Sequence, residues 1–247
     1  MARRLLEICV EDVAGVRAAI AGGADRIELC GALALGGLTP SAGLVEAVLP
    51  VARTGGIRVH AIVRPRPGDF DYDAGALELA IGEARALIAA GVDGLVFGAT
   101  RGGELDDAAL RRWTDAVRTA SPSVALTLHR AIDVVADPVA AVDGAIACGF
   151  DRILTSGGAA SAPEGAATIA RMVARAGDRC RIMAGAGVRP DNAAALLAAS
   201  GVADLHGSAS RAGRDATEKV KALGFGPPPR QTDADTVRAL RDILDRA

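Results

Sequence analysis

The chain has 247 residues, half of them hydrophobic, and a formal net charge of −2. Only six side chains are aromatic (one Trp, one Tyr and four Phe) and no basic stripe appears, which argues against a nucleic-acid binder built on phosphate neutralisation and base stacking. No apolar run approaches the roughly 18 residues of a membrane span, and four cysteines without a framework spacing read as free thiols, so a soluble protein of the cytoplasm is expected.

Short strand-like runs alternate with helix-spaced segments along the chain. Leu5 to Val10 reads as a strand, followed by a helix with Val13, Val16 and Ile20 on one face. Arg26 to Cys30 comes next, with Leu44, Val45, Val48 and Leu49 on its helix. Ile57 to Arg64 precedes a helix marked by Leu77, Ile81, Ala84, Leu87 and Ile88, and Gly94 to Gly98 precedes Leu110, Trp113 and Val117. Val124 to Arg130 is the fifth strand, and Pro138 is expected in the first turn of the next helix. Arg152 to Ser156, Arg181 to Gly185 and Asp204 to Ala209 supply three more, and Val237, Leu240, Ile243 and Leu244 mark the last helix.

Eight strands alternating with eight helices imply parallel pairing with right-handed crossovers. An open doubly wound sheet would carry a glycine fingerprint after its first strand, and that fingerprint is missing. A closed (β/α)8 barrel is favoured by a recurring turn: GGADRIEL, AGVDGLVF, CGFDRILT and SGVADLHG each place a Gly and then an Asp before an even-numbered strand. These residues (Gly23, Gly91, Gly149 and Gly201; Asp25, Asp93, Asp151 and Asp204) read as turn-makers rather than chemistry. The whole chain, 1–247, reads as one barrel domain, broken in rhythm only from Ser210 to Thr232. That connection follows the eighth strand, so it is expected to cover the mouth or make a dimer contact, with Gly224 to Pro229 in neither helix nor strand.

Strand parity sorts the polar residues. Leu6, Ile8 and Val10 alternate with Glu7 and Cys9; Ile27 and Leu29 with Arg26, Glu28 and Cys30; Val59, Ala61 and Val63 with Arg58, His60 and Arg64; Leu126 and Leu128 with Thr127 and His129. The apolar set must face the helices, which sends the polar set into a barrel interior that is usually packed with Val, Ile and Leu. Glu7, Arg26, Glu28, Arg64 and His129 then form either an internal ion-pair network or a ligand site, and the clustering in several strands favours a site. His129, near Arg130 and Asp133, and His206, at the end of the eighth strand, rank above His60 as acid–base groups. Arg64 and Arg66 after strand three, and the glycine loops with Gly157, Gly158, Gly185, Gly187, Gly207 and Ser208, suggest a hold on a small anion. Cys9 and Cys30, on adjacent strands about 4.8 Å apart, are candidate ligands for Cu(I), against the alternative of ordinary buried thiols.

LEICVEDV, GGADRIELC, GGLTPS, RPRPGDFDY, GLVFGA, LHRAID, DRILTSGG, MAGAGV and DLHGSA, in this order over about the first 210 residues, closely resemble the CutC family. The resemblance implies a (β/α)8 barrel, a cytoplasmic homodimer and a role in copper homeostasis, with Cys9 and Cys30 matching the thiols taken as Cu(I) ligands. It maps the family's polar mouth onto Glu7, Arg26, Glu28, Arg64, Arg66, His129, Arg130, Asp133 and His206. Two positions depart from the pattern: Pro67-Gly68 stands where a double glycine is usual, and Ser210-Arg211 stands where Arg-Ser is usual. Two functions remain open at this point, Cu(I) handling and acid–base catalysis on a small anionic metabolite such as a phosphorylated sugar, beside a third, a dimeric scaffold with a vestigial site.

Overall fold

The structure, a computed structural model, describes residues 4–213, 215–224 and 230–247. Eight parallel strands close into a barrel: β1 (Leu5–Val10), β2 (Arg26–Leu29), β3 (Arg58–Ile62), β4 (Gly94–Phe97), β5 (Ala125–Leu128), β6 (Arg152–Thr155), β7 (Arg181–Ala184) and β8 (Asp204–Gly207). Each pairs with its chain neighbours, and β8 closes on β1. Helices α1 (Val13–Gly22), α2 (Ala42–Thr54), α3 (Ala74–Ala90), α4 (Asp107–Ala120), α5 (Ala141–Ala147), α6 (Ala166–Ala176), α7 (Pro190–Ser200) and α8 (Ala234–Arg246) alternate with the strands, the arrangement of a (β/α)8 barrel. No helix among the described residues is long and apolar enough to cross a membrane.

The alternation of the strands decides which side chains go where. Leu6, Ile8, Val10, Ile27, Leu29, Leu126 and Leu128 join one continuous apolar core with residues of the helices. Within it Trp113 stacks on Phe97 at 4.5 Å between ring centroids, and Phe97 on Tyr72 at 5.9 Å. The repeated Gly–Asp turns have a shared mechanical role. Gly23, Gly91 and Gly149 adopt φ of +84°, +93° and +83° as their helices end. The Asp that follows then reaches sideways to the preceding odd-numbered strand: Asp25, Asp93 and Asp151 each accept the N–H of Leu6, Val59 and Leu126 at 2.8 Å. Asp204 departs from the set, being buried inside the barrel where Arg152 and Arg181 ion-pair with it.

Four local readings are revised. The helix expected to open at Pro138 begins at Ala141, because Asp137 Oδ1 first accepts the N–H groups of Val139 (2.9 Å) and Ala140 (3.0 Å) in a turn. The third strand stops at Ile62, and the Arg64 N–H leaves the ladder to donate to Thr39 Oγ1 at 2.9 Å. Thr100–Arg101 and Glu104–Leu105 pair as an extra antiparallel hairpin after β4. The connection from 210 to 232 has paired ends, Ser210–Ala212 against Arg230–Thr232, and a short helix Glu218–Ala222; of the segment read as irregular, residues 225–229 lie outside the described residues.

Helix α1 meets α8 across Gly22. A Cβ added there would lie 2.4 Å from Val237 Cβ and 2.7 Å from the Ala234 carbonyl oxygen. Gly22→Ala is therefore expected to cost about 1–3 kcal/mol in urea unfolding, whereas Gly82→Ala on α3, where nothing lies within 4 Å, should be neutral or stabilising by up to about 1 kcal/mol.

Candidate active site at the barrel mouth

The interior charges are stacked in layers. Lowest is Asp204, with Arg152 and Arg181. Above it Arg26 ion-pairs with Glu7, both buried, and donates toward Met183 Sδ. The register places Glu7 opposite both Arg26 on β2 and His206 on β8, so its carboxylate has a partner on each side. His206 Nδ1 lies 2.8 Å from Glu7 Oε1, and its Nε2 lies 3.8 Å from Glu28 Oε2.

Above these layers the carboxy-terminal ends of the strands enclose a cavity of about 840 Å³. Cys9, Glu28, Arg64, His129, Arg130 and His206 line it, together with Gly187, Gly207 and Ser208 of the loops after β7 and β8. The structure thus brings together most of the residues singled out above, with Glu7 and Arg26 one layer beneath the floor. Ser210, Arg230 and Thr232 from the paired ends of the late connection form part of the wall. The three non-glycine residues with positive φ among the described residues are Ala32, Ala186 and Ala209, and all flank this mouth. Such backbone costs of order 1–3 kcal/mol each and concentrates at functional sites.

Other expected site residues turn out to hold the scaffold. The Arg64 guanidinium donates to the carbonyls of Leu35 (2.9 Å), Gly37 (3.1 Å) and Gly68 (2.7 Å), tying two loops together. Arg66 lies outside the cavity, paired at the surface with Asp69 at 2.6 Å. Asp133 also stays out: it pairs with Arg130 at 2.7 Å and accepts the N–H groups of Ser156 (2.9 Å) and Gly158 (3.1 Å). The loop with Gly157 and Gly158 is thereby held by a carboxylate from the helical turn (Arg130–Val134) that follows β5. Gly185 packs on Leu154 and His206 rather than lining the cavity. Gly98 is required by contact: a Cβ there would come within 2.6 Å of His129 Nδ1. Sequence reasoning missed Phe70, which packs 4.8 Å from the His129 ring and 5.1 Å under Arg64, and the rim arginines Arg189 and Arg230. Arg189 could have been found from its place directly before Pro190, after the glycine loop of β7.

Three lining side chains, each more than nine-tenths buried, keep an unpartnered polar atom: Glu28 Oε1, Arg64 Nε and His129 Nε2. His129 Nδ1 accepts the Ala131 N–H at 3.1 Å, so in the neutral ring the proton sits on Nε2, a buried donor with no acceptor. Burial, reinforced by Arg64, lowers the His129 pKa to about 3, and burial with Arg26 does the same at His60. Burial raises Glu28 above the usual carboxylate range. Burial also opposes ionisation of Glu7, but Arg26 and then His206 outweigh it and hold that carboxyl well below its ordinary value. His206 goes the other way: burial disfavours its charge, and Cys9, Glu7 and Glu28 together hold it protonated well above the ordinary imidazole range.

The expected pair of thiols does meet, since Cys9 and Cys30 share a small buried cluster with Ile62 and Val96. Their chemistry does not fit a resident copper ion. Thiolates bind metals, yet Cys30 Sγ donates to Glu28 Oε2 at 3.5 Å, and burial, then the Glu28 charge, push its thiol well above the ordinary value. A bis-thiolate would add negative charge beside Glu7 and Glu28. Among the described residues no group of three or more His, Cys, Asp and Glu side chains is arranged to hold a metal ion.

These shifts set the pH dependence of stability. His60 and His129 titrate near 6.5 when unfolded and at about 3 when folded, so the unfolded chain binds more protons between those values. Their contribution is complete above about pH 6.5 and declines toward pH 3, joined by Glu7 at the acid end. His206 stabilises below its unfolded pKa, and that contribution is lost as pH rises through its raised folded value. Urea midpoints are expected to peak between these limbs. His60→Gln should flatten the acid limb by up to about 1.4 kcal/mol per pH unit, the slope of one proton.

The CutC family model matches residues 4–211, a span that contains all eight strands. The CutC family protein of Sinorhizobium medicae is 44% identical over 247 residues, covering 99% of this chain and 98% of that protein. Its counterpart from Agrobacterium fabrum is 46% identical over 243 residues, covering 97% and 94%. The solved CutC structure from Streptococcus agalactiae, whose name refers to copper homeostasis, matches with a TM-score of 0.77 at 30% identity, covering 83% of this chain and 98% of that one. Deoxyribose phosphate aldolase from Aeropyrum pernix, at 16% identity and a TM-score of 0.63 over 82% of this chain and 85% of its own, shares the fold alone. By the family model and by these near full-length relatives, the chain belongs to the CutC family.

Proposed function

We propose that the mouth is the active site of an enzyme that transfers a proton on a small anionic metabolite, of the class of phosphorylated sugars. The observation that carries this reading is the set of unpartnered, buried polar atoms on Glu28, His129 and Arg64 around one cavity. An unpartnered buried group costs about 1–3 kcal/mol, which a bound ligand would recover. Glu28 Oε1 is an acceptor for a substrate proton, and its raised pKa suits a group that must both take and return one. His129 Nε2–H is a neutral donor for a carbonyl or developing oxyanion. Arg130, Arg189 and Arg230 at the rim, with the amino terminus of α7 beside Gly187, suit the anionic end.

The Cu(I) assignment of Cys9 and Cys30 is the competing reading, and the protonated Cys30 thiol argues against it. Four free, buried cysteines agree with a cytoplasmic protein, and the family resemblance favours a homodimer, which sedimentation velocity would detect.

The test uses three- to six-carbon aldose and ketose phosphates in D2O, with proton NMR reading exchange of the C–H beside the carbonyl. Exchange is expected with at least one member, and Glu28→Gln should slow it by about 100-fold or more with the fold retained by circular dichroism. Absence of both exchange and binding across the set would overturn the proposal. In a Cu(I) competition titration under reducing conditions, wild type and the Cys9→Ser, Cys30→Ser double variant should bind alike; a loss confined to the double variant would reinstate copper.

A further inference from the structure

The floor of the mouth sets an acid beside the base. His206 Nδ1 lies 2.8 Å from Glu7 Oε1, and Arg26 holds the other oxygen of that carboxylate, so Glu7 is ionised and Nδ1 donates to it. The other ring nitrogen, Nε2, lies 3.8 Å from Glu28 Oε2, inside ion-pair range and outside hydrogen-bond range. No hydrogen bond engages Nε2 among the described residues, and His206 lines the cavity. The groups facing the ring are Glu7 and Cys9 from β1, Glu28 from β2 and the uncharged Gly185 after β7. Two flanking carboxylates favour the imidazolium over the neutral ring. A charged N–H without an acceptor thus stands next to Glu28, whose Oε1 is an acceptor without a donor. From β5, His129 Nε2–H lines the same cavity as a second donor without an acceptor. A lone carbonyl needs one such donor. An enediolate, with oxygens on two adjacent carbons, uses both donors and the base between them.

We propose that His206 is a second catalytic donor of this site, that the substrate is a phosphorylated α-hydroxyaldehyde or α-hydroxyketone, and that the reaction interconverts the two. Glu28 takes the proton from the hydroxyl-bearing carbon, a C=C bond forms to the carbonyl carbon, and the C=O π pair moves onto oxygen. His206 Nε2–H and His129 Nε2–H hold the two oxygens of the enediolate. The hydroxyl proton then crosses to the neighbouring oxygen, a new C=O forms where the hydroxyl was, and the former carbonyl carbon takes the proton back from Glu28. Atoms and electrons balance within the substrate and Glu28, with no further reactant. His206 gives a charged hydrogen bond throughout and keeps its proton, which suits a ring that Glu7 and Glu28 hold protonated. The inference rests on the proton-transfer reading and narrows it from any carbon acid to a carbonyl compound with an adjacent hydroxyl.

The test gives the intact protein glyceraldehyde 3-phosphate, erythrose 4-phosphate, ribose 5-phosphate and glucose 6-phosphate in D2O, with NMR reading both exchange and product. Any of these that exchanges should also yield its ketose. The analogues 2-deoxyribose 5-phosphate and 2-deoxyglucose 6-phosphate, which lack the second oxygen, should exchange at least about 100-fold more slowly than their parents. Exchange without ketose, or equal exchange of a parent and its 2-deoxy analogue, overturns this inference and leaves the proton-transfer reading standing. Absence of exchange throughout removes both. At pH 8, nitrogen NMR of the histidine-labelled protein should show one imidazolium among the three histidines, and His206→Gln should abolish it. Three neutral rings in the wild type overturn His206 as the charged donor, whatever the sugars do. Gln can still donate to Glu7 but carries no charge, so His206→Gln should lower kcat by about 100-fold, change KM less than about three-fold and erase the fall in rate at high pH. An unchanged kcat and pH profile overturn the role of His206. Should that variant fail to fold, the wild-type product and the wild-type imidazole signal decide the matter alone.

Discussion

The ion pair between Glu7 and Arg26 is the interaction on which the interior arrangement depends. Glu7 is fully buried and Arg26 nearly so, in a barrel interior where Val, Ile and Leu are the ordinary filling. Neither charge can be there alone: removing one partner of a buried pair costs about 3–5 kcal/mol, because the other is left desolvated and unmatched. Since Arg26 occupies one carboxylate oxygen, the other is free to fix His206, and the far side of that imidazole then faces the cavity. A pair that adds little net stability by itself thus determines how a whole column of polar side chains is oriented.

The polar column was legible in the sequence because β-strand parity is strict. Once Leu6, Ile8 and Val10 are sent to the helices, Glu7 and Cys9 have nowhere to go but inward. The barrel itself was legible from the recurrent Gly–Asp turns, whose carboxylates tie one strand start to the next. What could not be read was anything that depends on closure of the cylinder. Cys9 and His206 are neighbours only because β8 returns to β1, and no local pattern records that seam. Arg64 looked like an anion ligand because charge is visible in a sequence, while the three backbone carbonyls that engage it are not. Arg230 was hidden in a connection without periodicity, where only pairing with Ser210–Ala212 carries it to the rim.

Backbone and side-chain observations both single out the mouth as the place the proposed function would occupy. Three alanines hold left-handed backbone at the mouth, where glycine would be cheaper, and three buried polar side chains there each keep one atom without a partner. At the opposite end the turns use glycine for positive φ, and Asp204 is matched by two arginines. Barrels of this class generally keep stability at the amino-terminal face and chemistry at the carboxy-terminal one, which is the end where the strained alanines lie.

Asp133 gives that working face a direction. Glycine-rich loops above barrel strands present peptide N–H groups that attract negative charge, and the loop after β6 has such groups at Ser156 and Gly158. Asp133 already fills them, serving as a built-in anion that no ligand needs to displace. The neighbouring loops after β7 and β8 carry no such internal occupant among the contacts of Gly187 and Gly207 at the cavity wall. On the function proposed above, a molecule with one charged end and one reactive end would meet an asymmetric bowl, with its charge steered to one rim and its other end turned across the floor. On that reading, polarity of approach would be set by a carboxylate that stands outside the cavity.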